Sequence, residues 1–272
     1  MAKRFDFVFG LGSACSCTQT LRAAGLQFAS YPLDWVYGGG VRERTALVTG
    51  GFGGWMEKGD FMRLDGRKAF GHDPYVNRRT GMHFPHDFEK GIDFSVAFQS
   101  VRAKYDRRIA RFETRMERSR TALVVWIADP RDAFRLEDAD MRYCLDAFAH
   151  RWPKTLFRMF AVDFAAGIAP GEMSRRDGNG FKVLRFDYHD PAGEDFSVRP
   201  ELLLPLFADV EAKDYRTLPE KFAAWRRRRK SRRVRLNAQS AWDAFATGLQ
   251  LRLYNHLKKR LEHRGMRISP TT

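Results

Sequence analysis

Cysteine is scarce in this chain: three residues in 272, at positions 15, 17 and 144, with no Cys-x-x-Cys spacing. A disulfide framework and a zinc ribbon are thereby excluded. His83 and His86 stand three apart but have no third metal ligand close by in sequence, so neither a metal nor another cofactor is expected. Long apolar runs are missing as well. No stretch approaches the roughly 18 residues of a membrane span, and the N-terminus has no apolar leader; the expected location is the cytoplasm. Acidic residues are the minority charge, 33 Asp and Glu against 48 Lys and Arg, for a formal net charge of +15 and a pI near 10.1. Such a surface attracts nucleic acid, anionic lipid or acidic glycan without choosing among them. Internal repeats are absent, and Gly38-Gly39-Gly40 lacks the Gly-Lys-Ser/Thr ending of a nucleotide-binding P-loop.

What the chain does have is a hydrophobic share of 44%, with 14% aromatics, enough for a full core. Its most informative stretch runs from Asp6 to Arg22. Phe7-Val8-Phe9 reads as a buried strand, Gly10 and Gly12 as a tight turn, and the small polar residues after them as a helix start. Ser16 and Gln19 have the spacing of a capping box, which makes Ser16 the expected N-cap; capping by Ser13 instead would move Cys15 into the first turn. Cys17, Leu21 and Ala24 form the stripe that such a helix buries, and Cys15 points away from it. A helix start favours a thiolate. Cys15 is therefore either a nucleophile or a small residue packed in a turn.

Further along, Pro32 breaks regularity before Asp34 and Trp35, and Asp34 reads as a loop cap or a site carboxylate. Residues 41–80 look like an irregular, glycine-rich layer over the core. Met82, His83 and Phe84 alternate as a short strand that Pro85 should end, which leaves His86 and Asp87 at a strand end, where scaffolds present catalytic groups. Apolar residues from Phe94 to Met116 recur at helical spacing, which predicts a helix over about 94–118, and the opposite face carries Arg102, Lys104, Arg107, Arg108, Arg111, Arg115 and Arg118, either solvated or facing an anionic ligand. Ala122 to Ile127 is apolar throughout, as in the middle of a parallel sheet, with Asp129 at its carboxyl end. A helix ending near Trp152 and a strand over 155–162 complete a crossover unit. Another strand covers 181–186, and His189 just beyond it is a second candidate histidine. The expected fold is α/β, a three-layer sandwich with a mostly parallel sheet over residues 1–200. A helical, arginine-rich extension over 201–272 packs on it, with a long helix over about 239–263.

Two blocks carry a resemblance. Leu11-Gly12-Ser13-Ala14-Cys15, Leu21-Arg22 and Tyr31-Pro32-Leu33-Asp34-Trp35 form the first; Phe84-Pro85-His86-Asp87-Phe88, then Tyr105, Arg107-Arg108-Ile109 and Arg111-Phe112, form the second. Together they resemble a bacterial family described as papain-like cysteine peptidases. The resemblance implies Cys15 as nucleophile, His86 as general base, and a papain-like α+β fold as the alternative architecture. The carboxylate that would orient the imidazole stays open among Asp129, Asp34 and Asp87, in that order of preference. Ser13, Trp35, Arg107 and Arg108 are the substrate-binding candidates. Papain-type enzymes usually place a Gln upstream of the cysteine as oxyanion donor; here Phe9 to Ser13 stand there instead, and backbone amides at the helix start can serve.

The leading expectation is a cysteine-dependent hydrolase or acyltransferase acting on a peptide, amide or thioester. A glycan-processing or sugar-phosphate-binding enzyme of cell-envelope synthesis, without cysteine chemistry, is the alternative. A third reading is a basic adaptor for nucleic acid or a membrane surface. It draws on Lys221 and the run Arg226, Arg227, Arg228, Arg229, Lys230, Arg232, Arg233 and Arg235, nine positive charges in fifteen residues with no acid among them. That run allows peripheral contact with the inner membrane surface.

Overall fold

Strand alternation in the first ten residues sets the architecture. In β2 (Phe7–Gly10), Val8 faces one side of a sheet and Phe7 and Phe9 face the other, and all three are buried. A strand apolar on both faces needs a cover on each. The computed structural model describes residues 3–64, 71–129, 136–164, 173–186 and 200–226. In it, β2 is the edge of a five-stranded sheet of order β2-β6-β7-β9-β8, with β6 spanning Thr121–Ile127, β7 Leu156–Phe164, β8 Met173–Gly178 and β9 Phe181–Phe186. The pairs β2/β6, β6/β7 and β7/β9 are parallel, and only β8 runs against its neighbour. This is the mostly parallel sheet of the α/β reading.

One face packs Val8, Leu123, Val125, Ile127, Phe160, Val162 and Leu184 against Cys17 and Leu21 of α1 (Cys15–Ala23) and against Leu203 and Phe207 of a 3-10 segment, Pro200–Phe207. On the other face, Phe7 and Phe9 meet Phe112 of α3 (Phe94–Glu117) at 5.6 and 5.0 Å, and Phe9 meets Phe148 of α4 (Asp138–Arg151) at 5.6 Å between ring centroids. Each large side chain buried this way stabilises the fold by about 1.5–3 kcal/mol. Helices on both faces make three layers. A separate antiparallel sheet, β3-β4-β5, adds an α+β element; its strands are Phe61–Arg63, His72–Asn77 and Met82–Glu89. A short parallel pair, β1 (Lys3–Phe5) with β10 (Val210–Ala212), closes the first unit. The chain divides into units 1–214 and 215–272, and the second begins with a helix over 218–226.

Several local expectations change. Ser16 does not cap α1. Ala14, in extended conformation, is the N-cap, without a side-chain hydrogen bond, and Ser16 is buried in the first turn. The 41–80 stretch is more ordered than its glycines suggest: it holds α2 (Val41–Thr49) and two strands. Pro85 does not end β5. Tyr75 pairs with Phe84 and Asp73 with Phe88, so Pro85, His86 and Asp87 together oppose Pro74 in a bulge, where a missing amide costs nothing to the ladder. Gly25 does end α1. With φ +71, it sets a Schellman turn in which the Leu26 amide donates to Leu21 and the Gly25 amide to Arg22. The expected helix over 239–263, His189, and Arg227 onward lie outside the described residues.

Gly10 and Gly12 let α1 approach the sheet. A Cβ on Gly12 would sit 2.7 Å from the Cys17 Cβ and 2.9 Å from the Ile127 amide nitrogen, which is backbone and cannot turn aside. Gly12→Ala should therefore cost about 1–3 kcal/mol of overpacking. Gly25→Ala, with open space around it and only the left-handed φ to resist, should cost about 1 kcal/mol. Urea unfolding of both variants checks the order.

Candidate active site

The carboxyl ends of β2 and β6 are tied together residue by residue. The Leu11 amide donates to Val125 at 2.8 Å and the Ser13 amide to Ile127 at 3.3 Å, which carries the ladder past the end of β2. The Ser13 hydroxyl then accepts from the Asp129 amide at 2.6 Å. Ser13 and Asp129, both buried, thus stand side by side, with Cys15 opening α1 two residues after Ser13. This is where an α/β sheet gathers site residues.

Arg44 holds this loop from inside. It is fully buried, and its guanidinium donates to five carbonyls: Gly38 through Nε, Leu11 and Gly12 through Nη1, and Ser13 and Val36 through Nη2. The carbonyls of Leu11 to Ser13 thus turn inward to a cation, and α1 begins two residues further on, at Cys15. Arg44 was not among the sequence candidates. The structure puts it on the buried stripe of α2 with Val41, Thr45 and Val48, where an arginine needs acceptors.

The three cysteines separate as the helical stripe required. Cys17 and Cys144 are buried, and burial pushes both thiols up to about 12. The Cys17 thiol donates to the Val125 carbonyl at 3.6 Å. Cys15 is partly exposed.

The other sequence candidates fall into three places. Asp34 is fully buried beneath the loop that follows α1, where one carboxylate oxygen accepts from the Gln27 amide group and the Tyr31 backbone amide, both at 2.6 Å; burial raises its pKa against those bonds. Asp87 is clasped by α3, with Lys104 Nζ at 2.5 Å from one oxygen and the Tyr105 hydroxyl donating to the other at 2.8 Å. Its neighbour His86 is exposed, with the His72 ring 6.3 Å away. The protein around His86 displaces enough water to lower its pKa; Asp87 opposes that shift and His72 adds to it. On α3, Arg108 lies over the Tyr105 ring and Arg107 is exposed, while Trp35 donates to the Ser30 hydroxyl and lies under Arg22.

The residue of β5 whose contacts lead to the Cys15 loop is His83. It exchanges backbone hydrogen bonds with Tyr37 at 3.2 and 2.8 Å, and the two rings stack at 4.4 Å. The ring also lies against Gly38, where a Cβ would meet it at 3.3 Å, and the Gly38 amide donates to the Ser13 carbonyl at 3.1 Å. Strand alternation already set His83 apart from Met82 and Phe84; the pairing with Tyr37, 46 positions earlier, is what no local pattern carries. Among the described residues no three His, Cys, Asp or Glu side chains come together as a metal site. At the carboxyl ends of β7 and β9 lies a cleft of about 470 Å³ lined by Arg142, Arg176, Arg185, Glu137, Asp138 and Asp163, in which Arg185 pairs with the buried Asp163 at 3.1 Å.

Arg44→Met should destabilise the protein by more than about 3 kcal/mol, since it strands several buried carbonyls at once. Arg44→Lys, with three donors on a point charge, should restore only part of that; chemical denaturation of both measures it. Asp34 generates a pH test. Unfolded, it titrates near 3.8; folded, it keeps its proton to higher pH. In the window above that ordinary value the folded state binds more protons, so this group makes stability fall as pH rises. Asp34→Asn removes the slope. The unfolding free energy of the variant minus that of the parent should therefore increase from about pH 4 to about pH 7 in urea titrations.

Searches of curated proteins and of solved structures return no match to this chain. A family profile matches residues 6–167, a span that holds the Cys15 loop, both histidines of β5 and all three aspartates discussed. By that match the chain belongs to the family described as "Putative papain-like cysteine peptidase".

Proposed function

We propose that the protein is a cysteine-dependent hydrolase or acyltransferase with Cys15 as nucleophile. The observation that carries this reading is the placement of Cys15 at the first position of α1, partly exposed, on a loop held by Arg44, while the other two cysteines are buried. The Cys15 sulfur attacks an amide or thioester carbonyl, and the oxyanion is received by backbone amides at the helix start. An imidazole takes the Cys15 thiol proton as the sulfur attacks, and the imidazolium so formed gives that proton to the leaving group. Water, deprotonated by the same imidazole, then displaces the Cys15 thiolate, which takes the proton back as the acyl group leaves as acid. His86, the histidine of the family block, is the first candidate for that imidazole, and its lowered pKa keeps it a neutral base at pH 7. His83 is the second, on the strength of its contacts with Tyr37 and Gly38. Asp129, adjoining Ser13, is the leading orienting carboxylate. Ser13 itself acts by holding the loop, because its hydroxyl, amide and carbonyl all bond to protein.

A second reading is an enzyme that binds an anionic glycan or sugar phosphate; in the cleft beside Asp163, Arg176 and Arg185 already pair with Asp138 and Asp163, so Arg142 would be the cation that receives it. Arg107 and Arg108 would then add to a basic surface on α3.

Iodoacetamide at pH 7 should modify Cys15 well before Cys17 and Cys144, as read by mass spectrometry of tryptic peptides. Cys15→Ala should abolish turnover of thioester and peptide-amide reporters. Of His83→Asn and His86→Asn, the one that removes the base should lower turnover by a factor of about 100 or more, and the other should leave it near the parent value. Full activity in Cys15→Ala, or loss in neither histidine variant, refutes the mechanism. Stabilisation by nucleotide sugars that survives Cys15→Ser but is lost in Arg142→Ala would support the second reading.

A further inference from the structure

The helix over 218–226, at the start of the second unit, has a face that the Cys15 chemistry does not use. Its start is fixed by a capping box. The Glu220 amide donates to the Thr217 hydroxyl at 3.4 Å, and the Glu220 carboxylate accepts from the Thr217 amide at 2.7 Å. Leu218, Phe222 and Trp225, spaced four and three apart, then fall on one stripe. Their exposures are 82%, 58% and 50%, and the Phe222 and Trp225 rings stack at 5.5 Å. Three large apolar side chains in line on a surface helix mark an interaction face. Directly after the stripe, Arg226 to Arg235 place eight positive charges in ten residues, with no acid.

We propose that this helix face is a membrane-surface anchor that inserts Leu218, Phe222 and Trp225 into the headgroup boundary of an anionic bilayer. The occupant follows from the charge and the side chains together. An anionic bilayer offers an apolar layer beneath a negative surface, which matches a leucine-aromatic stripe continued by cations. Tryptophan is favoured at that depth because its ring is apolar and its N–H stays wet. Nucleic acid would match the cations but leave Leu218 and Phe222 in water. None of the helices among the described residues is long and apolar enough to cross a membrane, so the attachment is peripheral. It is independent of the Cys15 reading.

The test is co-sedimentation of the full chain with vesicles of phosphatidylcholine alone and of phosphatidylcholine with a quarter phosphatidylglycerol, at low and at moderate salt. Binding should require phosphatidylglycerol and weaken with salt. Phe222→Ser and Trp225→Ser, singly and together, should lower the vesicle affinity, at least tenfold for the pair, without lowering the melting temperature. Brominated lipid should quench tryptophan emission in the parent more than in Trp225→Ser. Absence of phosphatidylglycerol-dependent binding overturns the proposal, as does parental vesicle binding by the double variant. If the double variant instead melts earlier and binds vesicles as before, the stripe packs against another part of this chain and the proposal fails. Stripe-dependent binding to a single-stranded RNA oligomer, in the absence of vesicle binding, would also refute it.

Discussion

A buried guanidinium is the constraint around which the first half of this protein is arranged. Arg44 has five N–H donors, and five backbone carbonyls from two separate segments, 11–13 and 36–38, converge on them. A buried cation without such acceptors would be prohibitively costly, so wherever α2 places Arg44, those segments must follow. One consequence is the shape of the Cys15 loop, whose carbonyls turn inward. Another is the path of Tyr37 and Gly38, which are held close enough to pair with His83 and to bond Ser13. The loop between β2 and α1 and the antiparallel sheet carrying β5 are thereby fixed to the same atoms.

The difference between Cys15 and Cys17 follows from the same packing. Gly10 and Gly12 let α1 sit so close to the sheet that the Cys17 sulfur occupies the space their side chains would take. Cys17 is then sealed against Val125 and Leu21 and its thiol is held protonated. Two residues earlier the helix has only begun, and Cys15 stands at its rim. One thiol is structural and its neighbour is presented because a helix turns 100° per residue, a distinction that requires no special environment for either.

How much of this could be read from the chain depends on whether the information is local. The parallel strands were legible from unbroken apolar runs such as Ala122 to Ile127, and α3 and α4 from their periodicity. The β4-β5 bulge was not, because a proline after an alternating triplet reads as a stop, whereas the pairing of Asp73 with Phe88 carries the strand beyond it. The capping box at Ser16 was a correct local pattern overridden by tertiary bonds: Ser13 ties the turn to β6 and leaves Ala14 to begin the helix. Arg44 and the Tyr37–His83 pair were illegible for a different reason. Each is a contact between segments, and its sequence trace is a single residue whose ordinary role is on the surface.

The three aspartates illustrate how geometry sorts groups that sequence leaves equivalent. A carboxylate that orients an imidazolium must be ionised and must not already be neutralised by another cation. Asp34 fails the first condition in part, since burial favours its protonated form and its hydrogen bonds serve the turn at Tyr31. Asp87 fails the second, because Lys104 and the Tyr105 hydroxyl occupy its two oxygens from the α3 side. Asp129 is placed through its backbone amide, which donates to the Ser13 hydroxyl at the junction of β2 and β6. Asp34 and Asp87 are thus told apart by what each carboxylate is bonded to, the turn at Tyr31 in one case and α3 in the other.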